Sequence, residues 1–290
     1  MAWDGKTRGN VLGYSIFIFL LRNFGVKPAY LLLRFVALYF VFFTPKATPH
    51  IYGYFRRLGY GKIKSALNVY RNYYVFGQTI IDKVCVMAGF SNKFTYNFDG
   101  EENIVDIGKR GKGGILLSSH IGNWEVAGYL FKRLSMPINI VMFDEEHEKI
   151  KSTLENVTGK RSMNIIVIKP NDLSHIFEIK KRLSDNELIC LHGDRFIKGS
   201  KTVTAKFLGE DALFPYGPFH LAAYFKVPYA FVYGFKSSSM HYELSTTTPN
   251  VCKSGYEAIL NEYVSSMENL VRKYPLQWFN YYDFWEKASH

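Results

Sequence analysis

From Gly113 onward, short apolar runs alternate with helix-patterned stretches, and this alternation limits the possible folds more than any other feature. The runs "GGILLSS" (113–119), "PINIVMF" (137–143), "MNIIVIK" (163–169), "NELICLH" (186–192) and "PYAFVYGF" (228–235) are short and nearly continuous in hydrophobicity. That is the pattern of strands buried on both faces. "HYELSTTT" (241–248) alternates and reads as a neighbour of the strand before it. Helical patterns fall at about Trp124–Leu134, Glu145–Val157, Asp172–Leu183, Pro215–Phe225 and Gly255–Tyr274. Strand and helix in alternation predict an α/β fold: a mixed, mainly parallel sheet flanked by helices. Such sheets bind ligands at the carboxyl ends of their strands. His120 follows one strand end and His192–Arg195 follow another, so both groups are expected at one crevice.

The first third of the chain is different. Val11–Phe43 holds two apolar pieces around "RNFGVKP", and Ile63–Met87 continues as a helical pattern. The second apolar piece, Ala29–Phe43, is shorter than the roughly 20 residues that span a bilayer. Arg34 interrupts it, and Arg22 and Lys27 precede it. Tyr30, Phe35, Tyr39, Phe40, Phe42 and Phe43 suit a membrane interface, with Arg and Lys reaching head groups. The alternative is a buried helix of a soluble core. No small-residue cleavage site follows a clean apolar core, so a cleaved signal peptide is not expected. The organisation expected is a helical region at 1–95 with a membrane-binding helix, and an α/β body at 96–290 integrated with it.

Composition narrows the partners. Hydrophobic residues make up 48% and aromatics 17%, which excludes disorder and suits an apolar pocket or a lipid surface. The formal net charge of +11 fits an anionic lipid or an acidic protein. Lys and Arg are scattered, and no zinc-finger, RNP-like or helix-turn-helix pattern appears, so nucleic acid is not expected. Cys85, Cys190 and Cys252 are far apart and form no CxxC, which argues against a disulfide framework or a structural zinc.

Among short motifs, "GKRGKGG" (108–114) precedes its strand and lacks the Gly-Lys-Ser/Thr of a phosphate loop; it reads as a basic turn. No G-x-S-x-G elbow is present, and the histidines show no i, i+4 pairing. "HIGNWE" (120–125) remains. Within one helix, His120 and Glu125 would point about 140° apart. At a strand-to-helix turn they can meet. Gly122 allows the tight backbone and Asn123 is a natural N-cap. A carboxylate on one imidazole nitrogen fixes the tautomer and leaves the other nitrogen as a base. The substrate's own hydroxyl or amine would then be the nucleophile. The competing reading has His120 capping a turn and Glu125 as a solvated first-turn acid.

"SSHIGNWE" resembles the H-x4-D/E motif of glycerolipid acyltransferases, and in its Gly-Asn-Trp-Glu form it looks like the late acyltransferases of lipid A biosynthesis. The resemblance covers most of the chain. It takes in the N-terminal hydrophobic helix, "LHGDRF" (191–196), "FLGEDALFPYGPFHLAAYFKVPYAFVYGF" (207–235) and "YPLQWFNYYDFW" (274–285). It implies an acyltransferase at the cytoplasmic face of the bacterial inner membrane, moving a fatty acyl chain from acyl carrier protein to a lipid hydroxyl, with no metal or cofactor. His120 would be the general base and Glu125 its orienting partner. Asp194 would match the acid of the later block, with Arg195 as an anion contact. The amides of Gly122 and Asn123 would stabilise the oxyanion.

The chain departs from the pattern in one place. Where the family carries an Arg-containing block after the second strand, it reads "MFDEEHEKIK". The acceptor therefore stays open among a lipid A precursor, another glycolipid, an amino-acyl lipid and an aryl polyene lipid. A non-catalytic lipid-binding or scaffold protein on the same fold is the alternative from another class.

Overall fold

A computed structural model describes residues 11–87, 94–124, 126, 136–143, 164–169, 172–197 and 199–285. The helical patterns expected at 145–157 and over most of 124–134 lie outside them.

The helices are α1 (Val11–Phe24), α2 (Val26–Phe43), α3 (Thr48–Arg57), α4 (Lys62–Met87), α5 (Glu101–Lys109), α6 (Ser174–Ser184), α7 (Tyr216–Phe225) and α8 (Tyr256–Lys273). The strands are β1 (Thr95–Asp99), β2 (Gly114–Ser118), β3 (Ile138–Phe143), β4 (Asn164–Ile168), β5 (Leu188–His192), β6 (Thr202–Phe207), β7 (Glu210–Pro215), β8 (Pro228–Ser238), β9 (His241–Thr246) and β10 (Asn250–Val251).

The main sheet runs β1-β9-β8-β2-β5-β3-β4, with β10 on β8. Its pairs are parallel except β8–β9 and β10–β8. Every residue of β2 is buried, as expected for a central strand covered on both faces. The fold is the mixed, mainly parallel α/β arrangement read from the alternation. Not read from the sequence are helix α3, the strand–helix pair β1–α5, the short strand β10 and a separate β6–β7 hairpin.

The helical region is not a separate layer. One apolar cluster joins Ile51, Phe55, Val69 and Tyr73 to Leu117, Leu191 and Phe231 of the sheet. A second joins Tyr30 and Leu33 of α2 to Ile81 and Cys85 of α4 and to Tyr242 of β9. Inside this second cluster sits a buried ion pair. Lys236 of β8 donates to Asp82 of α4, and the two side chains are 4% and 0% exposed. The hydroxyls of Tyr30 and Tyr242 donate to the same carboxylate, and Lys236 Nζ also donates to the Ser239 carbonyl. Burial pushes Asp82 up and Lys236 down, each toward its neutral form, while the partner opposes the change.

Breaking a buried pair from one side leaves an uncompensated group, which costs about 3–5 kcal/mol. Lys236→Met is therefore expected to lower stability by about that much in a denaturant melt, and Asp82→Asn/Lys236→Met is expected to cost less than the sum of the two single changes.

Candidate active site

The site is a product of strand register. β2 and β5 run parallel with Ser118 opposite His192. Two residues further on, His120 and Asp194 meet at the carboxyl ends of the two strands. The Asp194 carboxylate grips His120 twice. Oδ1 lies 2.8 Å from the ring Nδ1, and Oδ2 accepts the His120 backbone N–H at 2.8 Å. Asp194 is 1% exposed and the His120 side chain 13%. Paired in this way, Nδ1 carries the proton and Nε2 is left with its lone pair, the arrangement a general base requires.

The chain between and around these residues is fixed from several sides. Gly193 sits between His192 and Asp194 because a side chain there would run into the rings of Tyr263 and Phe219. Tyr263 donates to the Ser118 carbonyl at 2.8 Å. After His120 the chain turns sharply. Gly122 has φ +75°, and a Cβ there would meet the Gly234 carbonyl at 2.1 Å. Gly122 is thus required for close approach to β8 as well as for its left-handed backbone. Asn123 Oδ1 accepts from Val126 N at 3.3 Å, the bond an N-cap residue makes. Its amide donates to the Thr79 carbonyl of α4 and to Tyr242 Oη, which connects the turn after His120 to the Asp82–Lys236 cluster.

Each residue singled out in the sequence can now be located. His120 and Asp194 are brought into direct contact. Glu125 lies outside the described residues. Arg195 donates from Nη2 to the Phe279 carbonyl at 2.7 Å, tying the site to the C-terminal aromatic block. The Gly122 amide donates to the Gln277 carbonyl and the Asn123 amide to the Gly234 carbonyl, both at 2.7 Å. Those two N–H groups are therefore already engaged, and an oxyanion would need a different donor. Asn123 is 4% exposed and its side chain is fully used in capping and bridging.

Sequence reasoning placed His192 at the crevice but gave it no role. Its ring centroid lies 4.6 Å from that of His120 and 4.7 Å from Trp124. Both ring nitrogens are buried and, among the described residues, have no hydrogen-bond partner. Burial, then the neighbouring His120, pulls its pKa down to about 3, so the ring is neutral at physiological pH. The available signal was the matching ends of two apolar runs, "LLSSH" and "ICLHGD", once they are set side by side.

One donor atom from each of His120, His192 and Asp194 lies within 4.8 Å of the others, a spacing that a metal ion could bridge. His120 already occupies both oxygens of Asp194. A cation would have to compete with that double contact.

Burial of Asp194 pushes its carboxyl up. The adjacent His120, the hydrogen bond to it and the Arg195 charge outweigh that effect and hold it at about 2. A depressed carboxylate stabilises the fold above its ordinary value of 3.8 and loses that contribution as pH falls through the folded value. Asp194 is expected to contribute about 2 kcal/mol that disappears between about pH 4 and pH 2. Denaturant melts over that range should show a shallower decline for Asp194→Asn than for the parent chain.

Residues 69–286 match the family Lip_A_acyltrans, described as bacterial lipid A biosynthesis acyltransferase. The matched span begins within α4 and contains His120, His192 and Asp194. Comparison with curated proteins gave no match. Among solved structures, the chain is similar to the crystal structure of the 1-acyl-sn-glycerophosphate (LPA) acyltransferase PlsC from Thermotoga maritima. Identity is 14% and the TM-score 0.41, over 88% of this chain and 99% of that one.

Proposed function

The chain belongs to the bacterial lipid A biosynthesis acyltransferases, and on that premise we propose that it moves a fatty acyl chain from an acyl carrier protein thioester to a hydroxyl or amine of a membrane lipid, with His120 as general base. The observation that carries this reading is the Asp194–His120 contact at 2.8 Å, which holds the ring in the tautomer a base needs. The acceptor hydroxyl gives its proton to His120 Nε2 as its oxygen bonds to the thioester carbonyl carbon. Collapse of the tetrahedral intermediate breaks the C–S bond, and the departing thiolate takes the proton back. Asp194 orients the ring and stabilises the imidazolium. Glu125 is retained as the acid of the H-x4-E motif, while the orienting role expected of it is assigned here to Asp194, whose carboxylate meets Nδ1. The net charge of +11 suits an acidic carrier protein and an anionic lipid surface. A lipid A precursor or a related glycolipid is the acceptor favoured by family membership.

The reading predicts that His120→Ala lowers kcat by about 10²–10⁴-fold, and that Asp194→Asn lowers kcat with the acceptor KM nearly unchanged. Both are measured with acyl carrier protein thioesters and detergent-dispersed lipids, alongside melting temperatures. Full activity in His120→Ala, or inactivity traced to unfolding in both variants, would falsify it. The non-catalytic scaffold reading then stands.

We further propose that α2 lies along the cytoplasmic face of the inner membrane. By length and composition it is apolar enough to cross a bilayer. Yet one side of it, Ala29, Tyr30, Leu33 and Ala37, is buried against protein. The opposite side exposes Leu31, Phe35, Leu38, Tyr39, Phe42 and Phe43 at helical spacing. Arg34, halfway along, is exposed on that side. Arg34 is costly at a bilayer centre but suits the head-group level. Phe35→Glu/Phe42→Glu is expected to move the protein from the membrane to the soluble fraction while activity on detergent-dispersed lipid persists. Retention in the membrane would count against an in-plane α2.

A further inference from the structure

The oxyanion of the transfer reaction requires a donor, and the two backbone amides at the turn are already committed to Gln277 and Gly234. A different group stands beside the base. His192 ends β5 with its ring 4.6 Å from that of His120. Its buried nitrogens find no partner among the described residues. Buried polar atoms are paired as a rule, and an unpaired one beside a general base is a group held ready for a ligand. We propose that His192 is a second catalytic imidazole, a neutral hydrogen-bond donor to the thioester carbonyl oxygen of the acyl donor.

Three features support this. The first is reach. The two ring centroids lie 4.6 Å apart, so both imidazoles border one small volume. Two rings at that spacing can each contact a different oxygen of one tetrahedral carbon through ordinary hydrogen bonds of about 2.8 Å. His120 takes the proton of the attacking oxygen, and His192 receives the oxygen that becomes negative.

The second is charge. A protonated ring here would repel the imidazolium that forms on His120 in the same step. Burial keeps His192 neutral, its pKa drawn down to about 3. Neutral imidazole serves as an electrophile in other enzymes for the same reason.

The third is geometry. Trp124 meets the ring edge-on at 4.7 Å and Ser118 pairs with His192 in the sheet, so the ring stands on a strand end and not on a loose loop. A donor fixed before reaction needs no reorganisation as charge develops.

The proposal rests on acyl transfer at His120, so the test compares variants at both positions in the full chain. His192→Leu removes the donor, and His192→Gln returns an N–H. His192→Leu is expected to lower kcat by about 10²–10³-fold, the usual effect of losing one oxyanion donor, with both KM values within about twofold. His192→Gln is expected to recover about a tenfold part of that. Because nothing among the described residues bonds to the ring nitrogens, His192→Leu should melt at or above the parent temperature.

Retention of kcat in His192→Leu, a change in KM alone, or a loss that matches a fall in melting temperature and is not relieved by His192→Gln overturns the proposal. So does activity that vanishes on chelation and returns with zinc, which would make the cluster a metal site. An inactive His120→Ala beside an active His192→Leu removes only this inference, whereas an active His120→Ala removes the reading beneath it.

Discussion

Everything at the site depends on one register, the parallel pairing of β2 and β5 with Ser118 opposite His192. His120 and Asp194 are 74 residues apart in sequence and become neighbours because each lies two positions past that pair. A slip of one residue would invert the faces of the strand and aim the carboxylate away from the ring. The register is held from both sides. β8 pairs with β2 on its other edge, and Gly193 and Gly122 allow backbone to approach where any side chain would collide.

The two imidazoles that result are chemically unlike although their rings nearly touch. His120 is joined to a buried carboxylate that stays ionised well below neutral pH, so a positive charge on its ring has a partner waiting. His192 has no such partner among the described residues and sits where burial favours the uncharged ring. A few ångströms of difference in carboxylate placement therefore separate a proton acceptor from a proton-bearing dipole. Environment and not residue type makes the division, which is the general means by which one pocket performs opposed proton chemistry.

Much of this architecture was legible before any coordinates. β2, β3, β5 and β8 are nearly continuous apolar runs because both faces of a central strand are covered, and that pattern survives in sequence; β4, at the sheet edge, keeps the apolar run with less burial. The β6–β7 hairpin was not legible. Its two-residue turn is Leu208–Gly209, with φ +53° and +85°. Such turns are usually marked by Asn-Gly or Asp-Gly, and a leucine conceals the signal. β1 is a short, largely exposed edge strand and gave little apolar pattern to read. At the site, the motif identified His120 and the later block identified Asp194. Their direct contact was hidden because strand order is not written in spacing: β5 inserts between β2 and β3, although β3 follows β2 in the chain. His192 was placed at the crevice but given no role, because its property, two buried nitrogens unpaired among the described residues, exists only in three dimensions.

The charge cluster at Asp82 has a consequence for how such a protein can change over time. Tyr30 of α2 shares that carboxylate with Lys236 and Tyr242, and Tyr242 in turn holds Asn123 at the turn after His120. A helix joined to its domain by a flexible tether can be exchanged through recombination without disturbing the rest. α2 cannot be replaced so freely, because a foreign helix lacking the tyrosine leaves a buried charge short of a donor. α2 and the turn after His120 are therefore constrained to change together.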